Sequence, residues 1–368
     1  MDIKTKDYPK QYRQIWEEVR EAIDRVLLGD APILGAEVER FEKELATFHE
    51  VPHAIGVGSG TAALTLAMRA LDIGAGHEVI TCAHTFTGVL SAILEVGATP
   101  VLVEPDPVSL LLTVEAAAEA ITPRTRAVLA VHLYGHPVDA TALASLCGRR
   151  NLLLLEDVAQ AHGARWRGRP LGGFGAAAAM SFHPSKNLAA FGDGGAVLCR
   201  SDATAARLRV LRNLGKEDKH RFAAVAPNSK LDTLQAAILR VRLRHLEDGI
   251  ERRRSHARVY QERLAGVGDL ALPVEHPEAR HAWHLFVVRT AHREGLRKHL
   301  AGRGIGTGLH YPIAAHRQPA IAGRLGELRL PRTEELADRV LTLPLSYEHE
   351  REEIERVATE VRAFFGNR

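Results

Sequence analysis

Aromatic side chains make up only 5% of this 368-residue chain, and methionine and cysteine occur three times each. A core with so few rings must be built from aliphatic side chains and closely approaching backbones, for which 46% hydrophobic residues and 31 glycines supply the material. Cys82, Cys147 and Cys199 lie far apart and are odd in number. That excludes a disulfide framework and the CxxC spacing of a zinc site, so no metal centre and a reducing, cytoplasmic setting are expected. Charge of one sign is also missing, since 48 basic residues stand against 45 acidic ones. No polyanion-binding field follows, which argues against nucleic acid as a partner. No charge-free apolar run reaches the roughly 18 residues that a membrane helix requires. The opening MDIKTKDYPKQYRQIWEEVREAIDR carries charge throughout and lacks the apolar stretch of a signal segment, so neither membrane nor export is expected.

What is present is alternation. Ala54 to Val57 reads as a strand running through GSG into TAALTLAMRALDIG, a helix with small residues at its start. EVITCA, TGVLSAILEVG, TPVLVEP, a strand over Ala127 to His132, the helix VDATALASLCGRR and the strand NLLLLED continue the series. Repeated βα units with near-continuous aliphatic strands predict an α/β fold with a mostly parallel sheet covered by helices on both faces. After Ala177 the pattern becomes AAAMSF and AFGDGGAVLCR, a strand-turn-strand in which Gly192, Gly194 and Gly195 permit tight turns. SKLDTLQAAILRVRLRHLEDGIERRRSHARVYQERL gives a long amphipathic stretch with a break near Gly249. WHLFVVRT, HREGLRKHLAGRG and a final helix from Glu348 to Phe365 then form a different pattern. Residues 1–249 are therefore expected to form an N-terminal segment and a large domain, and residues 250–368 a smaller α+β domain.

Three elements carry chemistry. GVGSGTAAL, residues 56–64, joins a strand to a helix, where Ser59, Gly60, Thr61 and the helix dipole can hold a phosphate. The same glycines could serve a dinucleotide turn or merely a tight crossover, although the next strand ends at Cys82 without the acidic residue a dinucleotide needs. Glu156 and Asp157 emerge at the end of the strand LLLL, the edge where ligands bind in open α/β sheets. A carboxylate there could pair with a protonated ring nitrogen, bind a metal or cap a following helix. Lysine is the third. Only nine are present against 39 arginines, none between Lys43 and Lys186, and Lys186 sits in AMSFHPSKNLAAFGDGG among small and apolar neighbours. Desolvation disfavours its protonated form, as imine formation with an aldehyde requires, although a lysine reaching out from a loop would read similarly. A phosphate turn, a strand-end aspartate and a semi-buried lysine, in this order, are the parts that pyridoxal phosphate needs.

On these residues the chain resembles the DegT/DnrJ/EryC1/StrS family of sugar aminotransferases, a branch of the fold-type I pyridoxal-phosphate enzymes. The resemblance runs through GSGTAAL (58–64), TF (85–86), EDVAQAHGA (156–164), SFHPSKNL (181–188), GDGG (192–195), NSKLDTLQAAIL (228–239) and GIGTGLHYP (304–312). It implies that Lys186 is the cofactor-bonded lysine and proton carrier, Asp157 the partner of the pyridine nitrogen, and Ser181 a phosphate ligand beside Gly60 and Thr61. It further implies that Phe86 lies against the cofactor ring and that Gln160 approaches its phenolic side. Read alone, Phe86 would be core and Gln160 a helix-surface residue. Asn228 is implied to reach the phosphate of the other subunit, making a homodimer with shared sites, although alone it reads as a local helix cap. His183, His310 and Tyr311 are implied on the substrate side, with His316 and Gln318 nearby.

The implied reaction moves an amino group, usually from L-glutamate, to a nucleotide-linked keto-deoxysugar, the cofactor alternating between pyridoxal and pyridoxamine 5′-phosphate. KNL with GDGG resembles relatives that aminate a 3-keto deoxysugar, with a 4-keto sugar or a cyclitol ketone as the alternatives. A sugar dehydratase of this group would carry histidine in place of Lys186, and a nicotinamide dehydrogenase rests on GxGxxA alone.

Overall fold

The computed structural model describes residues 2–29 and 31–366. Its central feature is a sheet of seven strands: β1 (His53–Val57), β2 (Glu78–Cys82), β3 (Thr99–Val103), β4 (Thr125–Val131), β5 (Leu153–Asp157), β8 (Ala177–Ser181) and β9 (Gly195–Cys199). Two short strands, β6 (Arg165–Trp166) and β7 (Arg169–Pro170), intervene and pair with β10 (Ala279–Arg280) in a separate small sheet. The order is β1-β9-β8-β5-β4-β2-β3, with every pair from β8 to β3 parallel and β9 antiparallel to both its neighbours. Strands β2, β8 and β9 are buried along their whole length. Helices cover both faces, as the near-continuous apolar strands require. The α/β class with a mostly parallel sheet stands as expected.

The turn reading of GDGG changes in detail. Only Gly192, at φ 153°, occupies the left-handed region. Gly195 already belongs to β9 and is glycine because a Cβ there would lie 2.4 Å from the Ser59 carbonyl oxygen. The break in the long amphipathic stretch falls at His245, between helices Thr233–Arg244 and Leu246–Leu264, with Gly249 inside the second.

A second core gathers Tyr260, Trp283, Phe286, Leu296, Leu300, Ile305, Leu341, Leu343, Ile354 and Val361 around the hairpin of β11 (Phe286–Arg289) and β12 (Val340–Leu343). Each large side chain fully buried there contributes about 1.5–3 kcal/mol. Helix Leu246–Leu264 runs from one core into the other, with Leu246 and Ile250 in the main core and Ala257, Tyr260 and Leu264 in the second. The N-terminus joins this second core. Ile3 is buried in it, pairs in parallel with Ile305, donates its N–H to the Gly304 carbonyl and accepts from Gly306 N, both at 2.8 Å. Among the described residues no helix is long and apolar enough to cross a membrane.

Candidate active site

The C-terminal ends of the parallel strands open into a cavity of about 600 Å³. At one end, β1 hands the chain to helix Gly60–Ala70, and Ser59 caps that helix by accepting from Ala62 N at 3.1 Å. The free N–H groups of the first turn and the helix dipole make this end favourable for an anion. Ser59, Gly60, Thr61 and Ser181 all line it. Gly60 is required by proximity, since a Cβ there would lie 2.6 Å from the Ser181 Cβ.

At the end of β5, strand alternation sends two adjacent carboxylates in opposite directions. Glu156 is fully buried and accepts from the N–H groups of Gly172 (3.0 Å), Phe174 and Gly175 (2.9 Å each), with His132 Nε2 at 3.3 Å. Burial alone would raise its pKa, but His132 and these N–H groups hold it below the ordinary value. Asp157 lines the cavity, and its Oδ1 accepts only from Ala159 N at 2.9 Å. Its pKa is raised, chiefly by burial, with that N–H and the charge of Lys186 opposing. No helix follows β5, because residues 158–164 run through successive turns, so Asp157 is not a helix cap and Gln160 is buried instead of lying on a helix surface.

Lys186 comes from the loop between β8 and β9, which folds back through Lys186 N to His183 O at 2.8 Å and Ala190 N to Phe182 O at 2.7 Å. Burial lowers its pKa to about 8, partly countered by Asp157. At neutral pH a usable fraction of the amine is therefore unprotonated, as a nucleophile and proton carrier needs.

The opposite wall is a hydrogen-bonded frame. Tyr134 Oη donates its single proton to the His310 carbonyl, so His84 Nε2, 2.7 Å from the same oxygen, must be the donor to it. That assignment agrees with a His84 pKa lowered to about 4 by burial, which keeps the ring neutral. Gln160 Oε1 accepts from Tyr134 N at 2.7 Å, and its Nε2 donates to Tyr311 Oη at 2.9 Å. Phe86 stands half exposed at the mouth, its ring centroid 5.7 Å from that of Tyr311. His310 Nδ1 meets Thr342 Oγ1 at 2.7 Å.

The cavity thus collects Ser59, Gly60, Thr61, Phe86, Asp157, Gln160, Ser181, His183, Lys186, His310 and Tyr311. Three expected residues lie elsewhere. His316 and Gln318 are outside the lining, and His316 is turned toward Glu334 at 3.0 Å, so their proximity in sequence to LHYP does not bring them to the substrate side. Asn228 is exposed outside its own chain's cavity, with its Oδ1 accepting from Lys230 Nζ at 2.5 Å. Sequence reasoning missed Thr5, Lys6, Tyr8, His284 and Thr342, which also line the space. Asp193, inside the GDGG string, lines the cavity as well.

The profile of the DegT/DnrJ/EryC1/StrS aminotransferase family matches residues 13–362. A protein of Streptomyces venezuelae named dTDP-3-amino-3,4,6-trideoxy-alpha-D-glucose transaminase is 48% identical, over 97% of this chain and 94% of that protein. The crystal structure of DesV from S. venezuelae in complex with a ketimine intermediate superposes with a TM-score of 0.96 at 47% identity, covering 98% of each chain. NtdA from Bacillus subtilis, solved with bound cofactor PMP, gives a TM-score of 0.89 at 29% identity, over 96% of this chain and 82% of that one.

Proposed function

We propose that this chain, which belongs to the DegT/DnrJ/EryC1/StrS aminotransferase family, moves the amino group of L-glutamate onto the 3-keto group of a nucleotide-linked deoxysugar. It is a pyridoxal-phosphate-dependent sugar aminotransferase. The single observation that carries the reading is the meeting of Lys186 and Asp157 in one cavity whose far end is a helix N-terminus.

The residues fit pyridoxal 5′-phosphate. The Gly60 backbone, pressed against Ser181, forms with Ser59 and Thr61 a cradle for a phosphate that a Cβ would fill. Asp157 retains an oxygen that its own backbone contact does not use. Lys186 offers a partly unprotonated amine. When bound, the cofactor supplies an aldehyde that receives the amino group and a conjugated ring that takes up the electron pair left by a departing proton.

This chain's residues do the rest. Asp157 accepts a hydrogen bond from the ring nitrogen and favours its protonated state. Phe86 would pack against the ring, and Gln160, fixed by Tyr134 and Tyr311, would orient its phenolic side. Lys186 would be the residue bonded to the cofactor at rest, and its amine, once free, would hold and move the proton at the reacting carbon. His183, His310 and Tyr311 orient the sugar. The 3-keto position is favoured by the strong likeness to a transaminase named for a 3-amino sugar.

The functional unit is proposed to be a homodimer in which Asn228 of one subunit serves the phosphate of the other. Its exposure outside its own cavity supports this, as do the exposed Phe222 and Val225 on the same loop. The test is a panel of 3-keto and 4-keto nucleotide sugars with L-glutamate, the products assigned by NMR. Amination confined to a 4-keto sugar would refute the assignment of position.

A further inference from the structure

The N-terminal segment is held at two points, one before and one after Thr5 and Lys6. Ile3 is fixed against Gly304 and Gly306, while Asp7 donates its N–H to Glu348 Oε1 at 2.9 Å and caps helix Tyr8–Gln14 through Lys10 N at 3.1 Å. Between these anchors Thr5 and Lys6 line the cavity. The stem of Lys6 stays partly open, yet its Nζ is out of solvent and has no hydrogen-bond partner. A buried amine nitrogen without a hydrogen-bond partner is a costly arrangement, and an incoming anion would supply the acceptor and favour its protonation.

The surroundings deepen the deficit. Lys6 feels the charges of Arg253, Lys186 and Arg242, against which only Glu348 is of opposite sign. Arg253 is fully buried and spends its donors on the Trp283 and Leu345 carbonyls and on Ser346 Oγ. Glu348 Oε1 is engaged by Asp7 N, and its Oε2 makes no bond to Lys6. Basic groups therefore outnumber acidic ones around Lys6 beside the reacting lysine, with Glu348 the opposing charge among the described residues.

We infer that Lys6 is a specificity-determining residue of the donor half-reaction, its Nζ binding a carboxylate of the amino donor. The inference rests on the transamination reading above. Geometry favours the donor over the sugar nucleotide. The α-carboxylate of an amino acid is bonded to the very carbon that exchanges a proton with Lys186, so it must lie within a bond length or two of the reacting centre. A diphosphate on C1 of a sugar aminated at C3 lies several bonds further away. Burial and the neighbouring arginines push the Lys6 pKa well down in the free enzyme, so the amine gains its proton most readily when a carboxylate arrives.

The test uses the full-length holoenzyme and compares wild type with Lys6→Met, which keeps the chain length and removes the amine. Lys6→Gln is a polar second variant should the first fold poorly. Single-turnover conversion by L-glutamate is followed in the cofactor absorbance, and equilibrium binding is measured with glutarate and separately with thymidine diphosphate. Removal of one charge-assisted contact is expected to weaken glutarate binding and raise the glutamate concentration for half-maximal rate by about tenfold or more. Thymidine diphosphate binding and cofactor retention are expected to stay within about twofold, and Lys6→Arg is expected to recover part of the glutarate affinity. Unchanged glutarate binding overturns the inference. So does weakening of thymidine diphosphate alone, or of both ligands equally, since a merely structural lysine would not discriminate between them. A wild-type holoenzyme that fails to react with glutamate would instead strike down the donor reading itself.

Discussion

The two faces of the sheet at the end of β5 treat neighbouring carboxylates in opposite ways. On one face Glu156 is saturated by three backbone N–H groups and His132, and its pKa is held down. On the other, Asp157 has a single backbone donor, a raised pKa and a cavity in front of it. A carboxylate whose acceptor capacity is spent holds a loop in place. One with capacity left over is available to a ligand. The difference lies in unspent hydrogen-bonding capacity, not in burial, since both side chains are buried.

The largest expected effect lies at the cation facing Asp157. Lys186→Arg keeps a positive charge but removes the amine, and transamination is expected to fall by about 10³-fold or more. Borohydride reduction of the wild-type holoenzyme should place the cofactor on Lys186 by peptide mass spectrometry, and wild-type turnover by the variant would reject the assignment.

Next, Glu156→Gln turns an amide N–H₂ toward donors that require an acceptor, so denaturant unfolding of the apoprotein should register a loss of about 3 kcal/mol. Asp157→Asn should do the reverse. Its apoprotein is expected to be as stable as wild type or more so, because a carboxylate whose pKa is raised by burial costs stability in its charged form. Its single-turnover rate with saturating cofactor should nonetheless fall by about 10²-fold. Equal stability losses in the two variants would erase the distinction between the faces.

A pH profile sharpens the same comparison. Attachment of pyridoxal 5′-phosphate needs the unprotonated Lys186 amine, whose pKa is lowered to about 8. The trapping rate should climb with pH and level off above about 8, where an ordinary lysine would still be rising. Asp157 raises that pKa, so Asp157→Asn should move the midpoint to lower pH. A midpoint that stays put would show that the two groups do not sense each other.

Much of this site was legible in the sequence because its parts are local strings. A strand running into GSG, a lysine isolated among small residues and a strand ending in ED each announce a chemistry without reference to the rest of the chain. What the strings could not convey is direction. Glu156 and Asp157 are adjacent in sequence, and only the packing of residues 172–175 against one face decides which is used up. Lys6 was invisible for a related reason. It sits in a charged N-terminal run that reads as solvated, and it reaches the cavity only because Ile3 pairs with Ile305, some three hundred residues away. His316 and Gln318 erred the other way, since nearness to LHYP in sequence suggested nearness in space, whereas the chain turns His316 to Glu334.

Asn228 carries the comparison from two faces of one sheet to two copies of the chain. It is exposed and outside the cavity of its own subunit, so on the proposed dimer it completes the phosphate cradle of the other. Asn228→Ala alone is expected to reduce activity by about tenfold, as loss of one hydrogen bond to an anion would. Mixing Lys186→Ala subunits with Asn228→Ala subunits gives the decisive result. In a dimer with a two-fold axis, one site then combines both lesions, and the other pairs an intact Lys186 with an intact Asn228. Purified mixed dimers should recover about half the activity of wild type, one working site of two. If Asn228 acted within its own chain, each site would carry one lesion, and activity would stay at the level of the Asn228→Ala site alone. Confirmed mixing without recovery above that level would remove Asn228 from the shared site.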